Sequence, residues 1–337
     1  MGLLPALWWR EEVLLAVIRA PAHSISDDVF NQGNMGRYLV RRIFAGLMTL
    51  WGLATVLFVL LRFFPGGPFD EDVAIRPEIR AVLEQKYQLG DGTFAAYLKY
   101  LGQALRGDLG TSLYFTDQNV SSLIVKGFSS TLLLTSLGLL LALIFGLVWG
   151  VLPHLWNKGA AGLRGFYKTG LSLPTLFLGP VLLWLFCFQW DLFPMRVDGT
   201  ALSYLLPVFL LALRPSLVMG QLLDVRLAQI AREDHTRTIQ SLGAAPARVI
   251  LRWSLRPALP VTLAQIPGLA AGLLSGSLLV ETLFSIQGLG FQFTQVLLNR
   301  DWTMALGLTL FFGLILIVFQ ILADALLMWI DPRVVVK

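Results

Sequence analysis

Residues 237–260 read Arg-Thr-Ile-Gln-Ser-Leu-Gly-Ala-Ala-Pro-Ala-Arg-Val-Ile-Leu-Arg-Trp-Ser-Leu-Arg-Pro-Ala-Leu-Pro, a basic stretch set between long apolar runs. Arg237, Arg248, Arg252 and Arg256 stand in it with no acidic residue among them. Gly243 can take the left-handed conformation that closes a helix, and Pro246 is placed to open the next. The spacing therefore predicts helix, tight turn, helix. A basic two-helix segment between apolar runs is a docking surface on one side of a bilayer.

Outward from this stretch the chain is built for lipid. Of its 337 residues 56% are hydrophobic and only 14% charged, and the mean hydropathy of +0.70 is far too high for a soluble domain of this size. A spanning helix needs about 20 mostly apolar residues. Six runs meet that length, at roughly 43–63, 129–153, 165–190, 201–222, 258–284 and 303–329. Polar surface is left mainly in 64–128 and 223–257.

The net charge of +5 belongs to a membrane, not to a nucleic-acid partner, because of where the cations fall. Arg37, Arg41 and Arg42 precede span one, Lys158, Arg164 and Lys168 lie around the second loop, and six arginines from Arg226 to Arg256 lie between spans four and five. The short loops of the opposite side carry only Arg196 and Arg300. That asymmetry predicts both termini in the cytoplasm and the 64–128 segment on the outer face. Prolines and glycines at 65–68 end span one; beyond them the pattern predicts helices over 76–87 and 94–104 and a turn at Gly107-Asp108-Leu109-Gly110. Residues 1–34 read as an extension to the 35–337 transmembrane region. Trp8 and Trp9 beside Glu11 and Glu12 fit an interfacial helix, and the basic run from Met35 equally fits the start of the functional chain.

Candidate chemistry is sparse. The lone Cys187 reads as a small buried apolar side chain. His23, His154 and His235 are far apart and suggest no metal site. None of the six lysines follows a glycine, so no phosphate-cradling loop is present and the chain is read as no enzyme. Three polar residues interrupt apolar helices: Arg214, which either faces water or snorkels; Glu281, near the outer end of span five; and Asp324, near the inner end of span six. Such groups mark pathways by default, but both carboxylates are placed where partial hydration is expected, which favours structural hydrogen bonding. Glycines 138, 146 and 150, and 268, 272 and 276, let helices approach closely, within one bundle or between subunits.

Several motifs in order resemble the B-type permease subunits of oligopeptide and dipeptide ABC importers, from about Met35 to Arg333. These are Arg41-Arg42, Phe64-Pro65-Gly66-Gly67-Pro68, Lys86-Tyr87-Gln88-Leu89, Asp234-His235-Thr236-Arg237-Thr238 with Gly243, Glu281-Thr282-Leu283-Phe284, Gly288-Leu289-Gly290, Asn299-Arg300-Asp301-Trp302 and Asp331-Pro332-Arg333. The resemblance implies an all-α membrane protein of six transmembrane helices, of the type I importer kind, in a bacterial cytoplasmic membrane. It implies that 223–257 is a cytoplasmic coupling loop whose Glu233, Asp234, Arg237, Thr238, Ser241, Gly243, Ala244, Pro246 and Arg248 meet an ATPase. The implied partners are a homologous permease, two cytoplasmic ATPases carrying ATP and magnesium, and an outer peptide-binding protein. Two departures stand out. Arg-Thr-Ile-Gln-Ser-Leu-Gly lacks two basic side chains usual in the family's loop, and Ala258-Leu259-Pro260 is one leucine short, which implies a divergent ATPase partner or weaker coupling. The competing readings are an ion-coupled carrier or channel using Arg214, Glu281 and Asp324, which an inverted repeat or broken helix would support, and a scaffold that recruits a soluble partner.

Overall fold

The computed structural model describes residues 32–63, 93–112, 114–115, 118–156, 158–299 and 301–330. The extension over 1–31, the 64–92 stretch with its proline-glycine turn and expected 76–87 helix, Arg300 and Asp331-Pro332-Arg333 lie outside those residues. The chain divides between Ala45 and Gly46. Helix α1 (Gln32–Phe63) runs across that division, and the bundle belongs to the second unit.

Among the described residues every regular element is a helix, with one isolated antiparallel bridge between Thr111 and Asn119. After α1 come α2 (Thr93–Leu105), α3 (Val120–Leu155), α4 (Ala160–Ser172) and α5 (Thr175–Leu183), which widens into a π turn over Trp184–Gln189. Then follow α6 (Ala201–Ile230), α7 (Asp234–Ser241), α8 (Pro246–Arg248), a second π turn (Val249–Ser254), α9 (Leu255–Leu263), α10 (Ile266–Leu283), α11 (Leu289–Leu298) and α12 (Trp302–Ile330). Five of these helices are long and apolar enough to cross a membrane, and the count is six if the bent α4–α5 pair forms one span. Large apolar side chains such as Trp51, Leu140, Phe188 and Leu322 are exposed around the outside, where lipid replaces water.

α3 and α6 form the axis of the bundle. A Cβ on Gly138 would lie 3.1 Å from Leu211, on Gly146 2.9 Å from Met219 and on Gly150 2.6 Å from Leu223. The pairs advance together along both helices, so the two run parallel and their backbones nearly touch. These glycines are thus spent within the subunit, whereas a Cβ on Gly268 or Gly272 of α10 would meet nothing within 4 Å. Around this axis Leu134, Leu183, Leu210, Leu273 and Phe284 build one apolar core. Val120, Leu289, Val296 and Met304 build a second that joins α3, α11 and α12.

Two expected spans are not single helices. At Leu173 and Pro174 the chain is extended, because proline disfavours helical conformation in the residue before it and offers no N–H. The helices on either side, Ala160–Ser172 and Phe177–Gln189, meet at 105°. The expected run 258–284 divides after Leu263, and Pro267 opens α10 within its first turn. On the α2 side, the expected turn is present: Gly107 and Gly110 have φ of 78° and 84°. The Thr55 and Tyr97 hydroxyls lie 2.5 Å apart, which joins α2 to α1.

Candidate functional site

The loop after α6 folds as its sequence predicts. α7 ends at Ser241, the Gly243 amide bonds the Gln240 carbonyl at 2.9 Å with φ +82°, and Pro246 opens α8. Only the left-handed region satisfies that turn, and no side chain crowds it: a Cβ on Gly243 would have nothing within 4 Å. Glu233, Asp234, Arg237, Thr238, Ser241, Pro246 and Arg248 are exposed and Ala244 partly so, while Thr236 is buried beneath α7. Glu233 Oε2 lies 3.4 Å from His235 Nδ1, and Arg237 has no ion pair among the described residues. The arrangement is a solvent-facing ledge with the acidic Glu233 and Asp234 at its start and the basic Arg237 and Arg248 beyond them.

What holds the ledge is a cluster absent from the sequence expectations. Asp224, buried two turns before the end of α6, accepts from Arg164 Nε at 3.0 Å, Arg164 Nη2 at 2.9 Å and the Tyr167 hydroxyl at 3.3 Å. His154 Nε2 lies 2.9 Å from its Oδ1 and 3.2 Å from its main-chain carbonyl, two acceptors that place the ring proton on Nε2. Folding gives His154 an acidic partner, since α3 and α6 run parallel and bring residues 154 and 224 to the same level. Below the cluster Val151, Leu223, Leu227, Ile230 and Ala258 form an apolar cluster that ties α3 and α6 to α9. The ledge is therefore continuous with three helix ends. The available sequence signal was a carboxylate closing an apolar helix 60 positions after an isolated arginine.

The three intramembrane polar residues are not brought together. Glu281 is fully enclosed, contrary to the expected partial hydration, because the 284–288 turn folds α11 back over it. Its carboxylate accepts from Thr131 Oγ1 at 2.8 Å, Gly290 N at 2.7 Å and Phe291 N at 3.2 Å, and Thr131 Oγ1 accepts from Leu289 N at 2.8 Å. A carboxylate at a helix N-terminus satisfies otherwise unpaired amides and favours the helix dipole. The Gly288-Leu289-Gly290 motif follows from this: a Cβ on Gly288 would collide with Glu281 and Thr131, and one on Gly290 with the Leu278 backbone. Asp324 is half-buried on α12 and engaged there. Arg214 is exposed on α6 and lines a crevice at the α4–α5 elbow with Gly170, Leu173, Leu178, Leu210 and Leu213. The elbow is a broken helix of the kind an ion-coupled carrier uses, but its polar group is a cation with no carboxylate beside it.

At the opposite end of the bundle Asp301 caps α12 through Met304 N at 3.0 Å, accepts from Tyr114 N at 3.2 Å and is bonded by Ser112 Oγ. Asp198, in the exposed loop before α6, is held below the usual carboxylate range chiefly by the Thr200 hydroxyl and then by its amide.

A model of the family described as "binding-protein-dependent transport system inner membrane component" matches residues 138–336. The dipeptide transport system permease protein DppB of Bacillus subtilis is 29% identical over 302 residues, covering 89% of this chain and 98% of that protein. The oligopeptide transport system permease protein OppB of Salmonella typhimurium is 31% identical over 307 residues, covering 89% and 99%. Among solved structures, an inward-facing MetNI methionine ABC transporter aligns with a TM-score of 0.52 at 16% identity, covering 62% of this chain and 96% of that one. An amino acid ABC transporter with histidines aligns at 0.50 and 17%, covering 62% and 94%. These two likenesses are of fold.

Proposed function

Because the chain belongs to the inner-membrane components of binding-protein-dependent transport systems, we propose that it forms half of the pathway of an ATP-driven importer of dipeptides or oligopeptides. A homologous permease completes the pathway, two cytoplasmic ABC ATPases bind ATP and magnesium, and an extracytoplasmic peptide-binding protein delivers the ligand. The substrate class rests on the relatives from Bacillus and Salmonella, a dipeptide and an oligopeptide transport system permease protein.

The observation that carries the coupling role is the exposed 233–248 ledge, joined through Asp224 and the Val151–Leu227–Ala258 cluster to the ends of α3, α4, α6 and α9. A push on such a ledge moves several helix ends together. Closure of the ATPases on ATP would draw this ledge toward its counterpart and reopen the cavity to the outer side. A ligand-loaded receptor biases the cycle only by binding one of the two states better. The charge asymmetry supports a cytoplasmic side for the ledge and both termini. The broken α4–α5 helix is an observation in favour of an ion-driven carrier; against that reading, the Glu281 oxygens already accept three donors.

The test is a cysteine at Ser241 in an otherwise cysteine-free chain, assembled with its partner subunits. A disulfide to a cysteine on the ATPase surface is expected, with a yield that changes between nucleotide-free and ATP-bound states. No cross-link from any position between 237 and 247 would remove the ledge from the coupling path.

A further inference from the structure

Arg214 stands near the middle of the 30-residue α6, about 20 Å of helix from Ala201 at 1.5 Å per residue. With about 30 Å of hydrocarbon to cross, that leaves about 10 Å between its Cα and the inner headgroup layer. A guanidinium there is costly to insert unless water or an anion meets it. Among the described residues no carboxylate forms an ion pair with it. Asp224 is bound to Arg164, Glu281 to Thr131 and the α11 amides, and Asp301 to the start of α12.

The surroundings say what kind of anion fits. Along α6, Arg214, Val218, Gln221 and Val225 fall at helical spacing on one stripe, and all four are exposed or partly exposed. A stripe carrying both a guanidinium and an amide is unsuited to lipid. Beside Arg214, the elbow crevice is otherwise lined by a glycine and four leucines. A site with one cation and an apolar wall fits a ligand with a carboxylate next to an apolar side chain. A lipid phosphate reached by snorkelling would leave uptake of a peptide acid and of its amide alike in Arg214→Gln and in the parent.

We propose that Arg214 and the elbow crevice form a carboxylate-binding subsite on the translocation path, with the guanidinium meeting a carboxylate of the passing ligand and Leu173, Leu178 and Leu213 meeting its apolar side chain. This rests on the peptide-import reading and deepens it. Guanidinium is suited to the role because its planar fork matches a carboxylate through two parallel hydrogen bonds and stays charged at any working pH.

The experiment uses the full complex with its receptor in liposomes. Import of an apolar peptide with a free C-terminus by the unaltered complex comes first; failure there overturns the peptide reading itself. At receptor-saturating ligand, the free acid should then enter about tenfold faster than its C-terminal amide, and Arg214→Gln should bring the acid down to the amide's rate while Arg214→Lys keeps most of the preference. With Cys187→Ala as background, Arg214→Cys should react with a water-soluble thiosulfonate, and peptide should protect it. An ammonium-bearing reagent should restore uptake and a sulfonate-bearing one should not. Three results would overturn the proposal: unaltered acid-over-amide preference in Arg214→Gln, an Arg214→Cys thiol inert in every nucleotide state, or Arg214→Gln subunits that no longer pair with the second permease, which would assign the guanidinium to a carboxylate of that subunit.

Discussion

Asp224 holds Arg164 through both ends of its carboxylate, Oδ2 to Nε and Oδ1 to Nη2, so that α6 and α4 are fixed in distance and in rotation. The pair is asymmetric in its exposure. The Asp224 side chain is 8% exposed and that of Arg164 43%, so losing the cation strands a buried carboxylate, whereas losing the carboxylate leaves a cation that can turn to water. Arg164→Ala should therefore cost more than an exposed pair would, about 2–3 kcal/mol, and Tyr167→Phe about 1 kcal/mol. Melting of the purified subunit in detergent measures both. The exchanged pair Arg164→Asp with Asp224→Arg should recover only part of the loss, since His154 and Tyr167 then face a cation.

Gly150 offers a sharper packing test. A Cβ there would lie 2.6 Å from Leu223 Cβ, and neither backbone can retreat without opening the α3–α6 axis. Gly150→Ala should destabilise the subunit by about 1–3 kcal/mol. Gly162→Ala, where the added carbon meets nothing within 4 Å, should be neutral or slightly stabilising in the same melting assay.

Glu281 fixes α11 rather than conducting ions. Glu281→Gln keeps the shape but turns one acceptor oxygen into an NH2 group that faces a hydroxyl or an amide already needing an acceptor. The 284–290 turn should loosen, seen as faster labelling of a cysteine placed at Gln287. The proton or sodium dependence of transport should stay as in the parent. A new ion dependence would reverse the assignment.

Gly243→Val should leave membrane insertion intact and lower transport and substrate-stimulated ATPase activity together. At φ +82° a β-branched side chain is strained by roughly 1–2 kcal/mol or more, and with open space around the position the effect is one of backbone conformation alone. Receptor affinity for ligand should not change. If Gly243→Val lowers transport while stimulated ATPase turnover persists, the ledge transmits motion without governing hydrolysis.

Sidedness is checked independently. Reporter fusions after Asp198 should score as outer-face, and fusions after Lys158 and Arg248 as cytoplasmic, as the distribution of cations requires.

The helices and the ledge were legible in the chain because their signals are local: apolar run length, Gly243 before Pro246, and glycines at intervals of four. The elbow at Pro174 and the break before Pro267 were also written locally, but an apolar run reads as continuous when only its hydropathy is counted. What stayed hidden was pairing across distance. Nothing near Asp224 in sequence announces Arg164, Tyr167 or His154; the parallel packing of α3 and α6 brings them together. Glu281 was noticed for its charge and misjudged for its surroundings, since the cover over it is α11, whose position depends on a turn at Ser285 with φ of 52°.

The parallel packing of α3 on α6 also bears on how the protein is made. The glycine groove around Gly138 and Gly150 leaves the ribosome some 70 residues before Leu211 and Leu223 arrive to fill it, roughly 4–15 s at ordinary elongation rates. For that interval the groove faces lipid, or whatever membrane insertase attends the nascent chain, with the α4–α5 elbow entering between. Fragments that end before Leu211 never receive the occupant of the groove. A premature stop there leaves a span whose small-residue face is open to other helices, and such products are natural clients of membrane proteolysis.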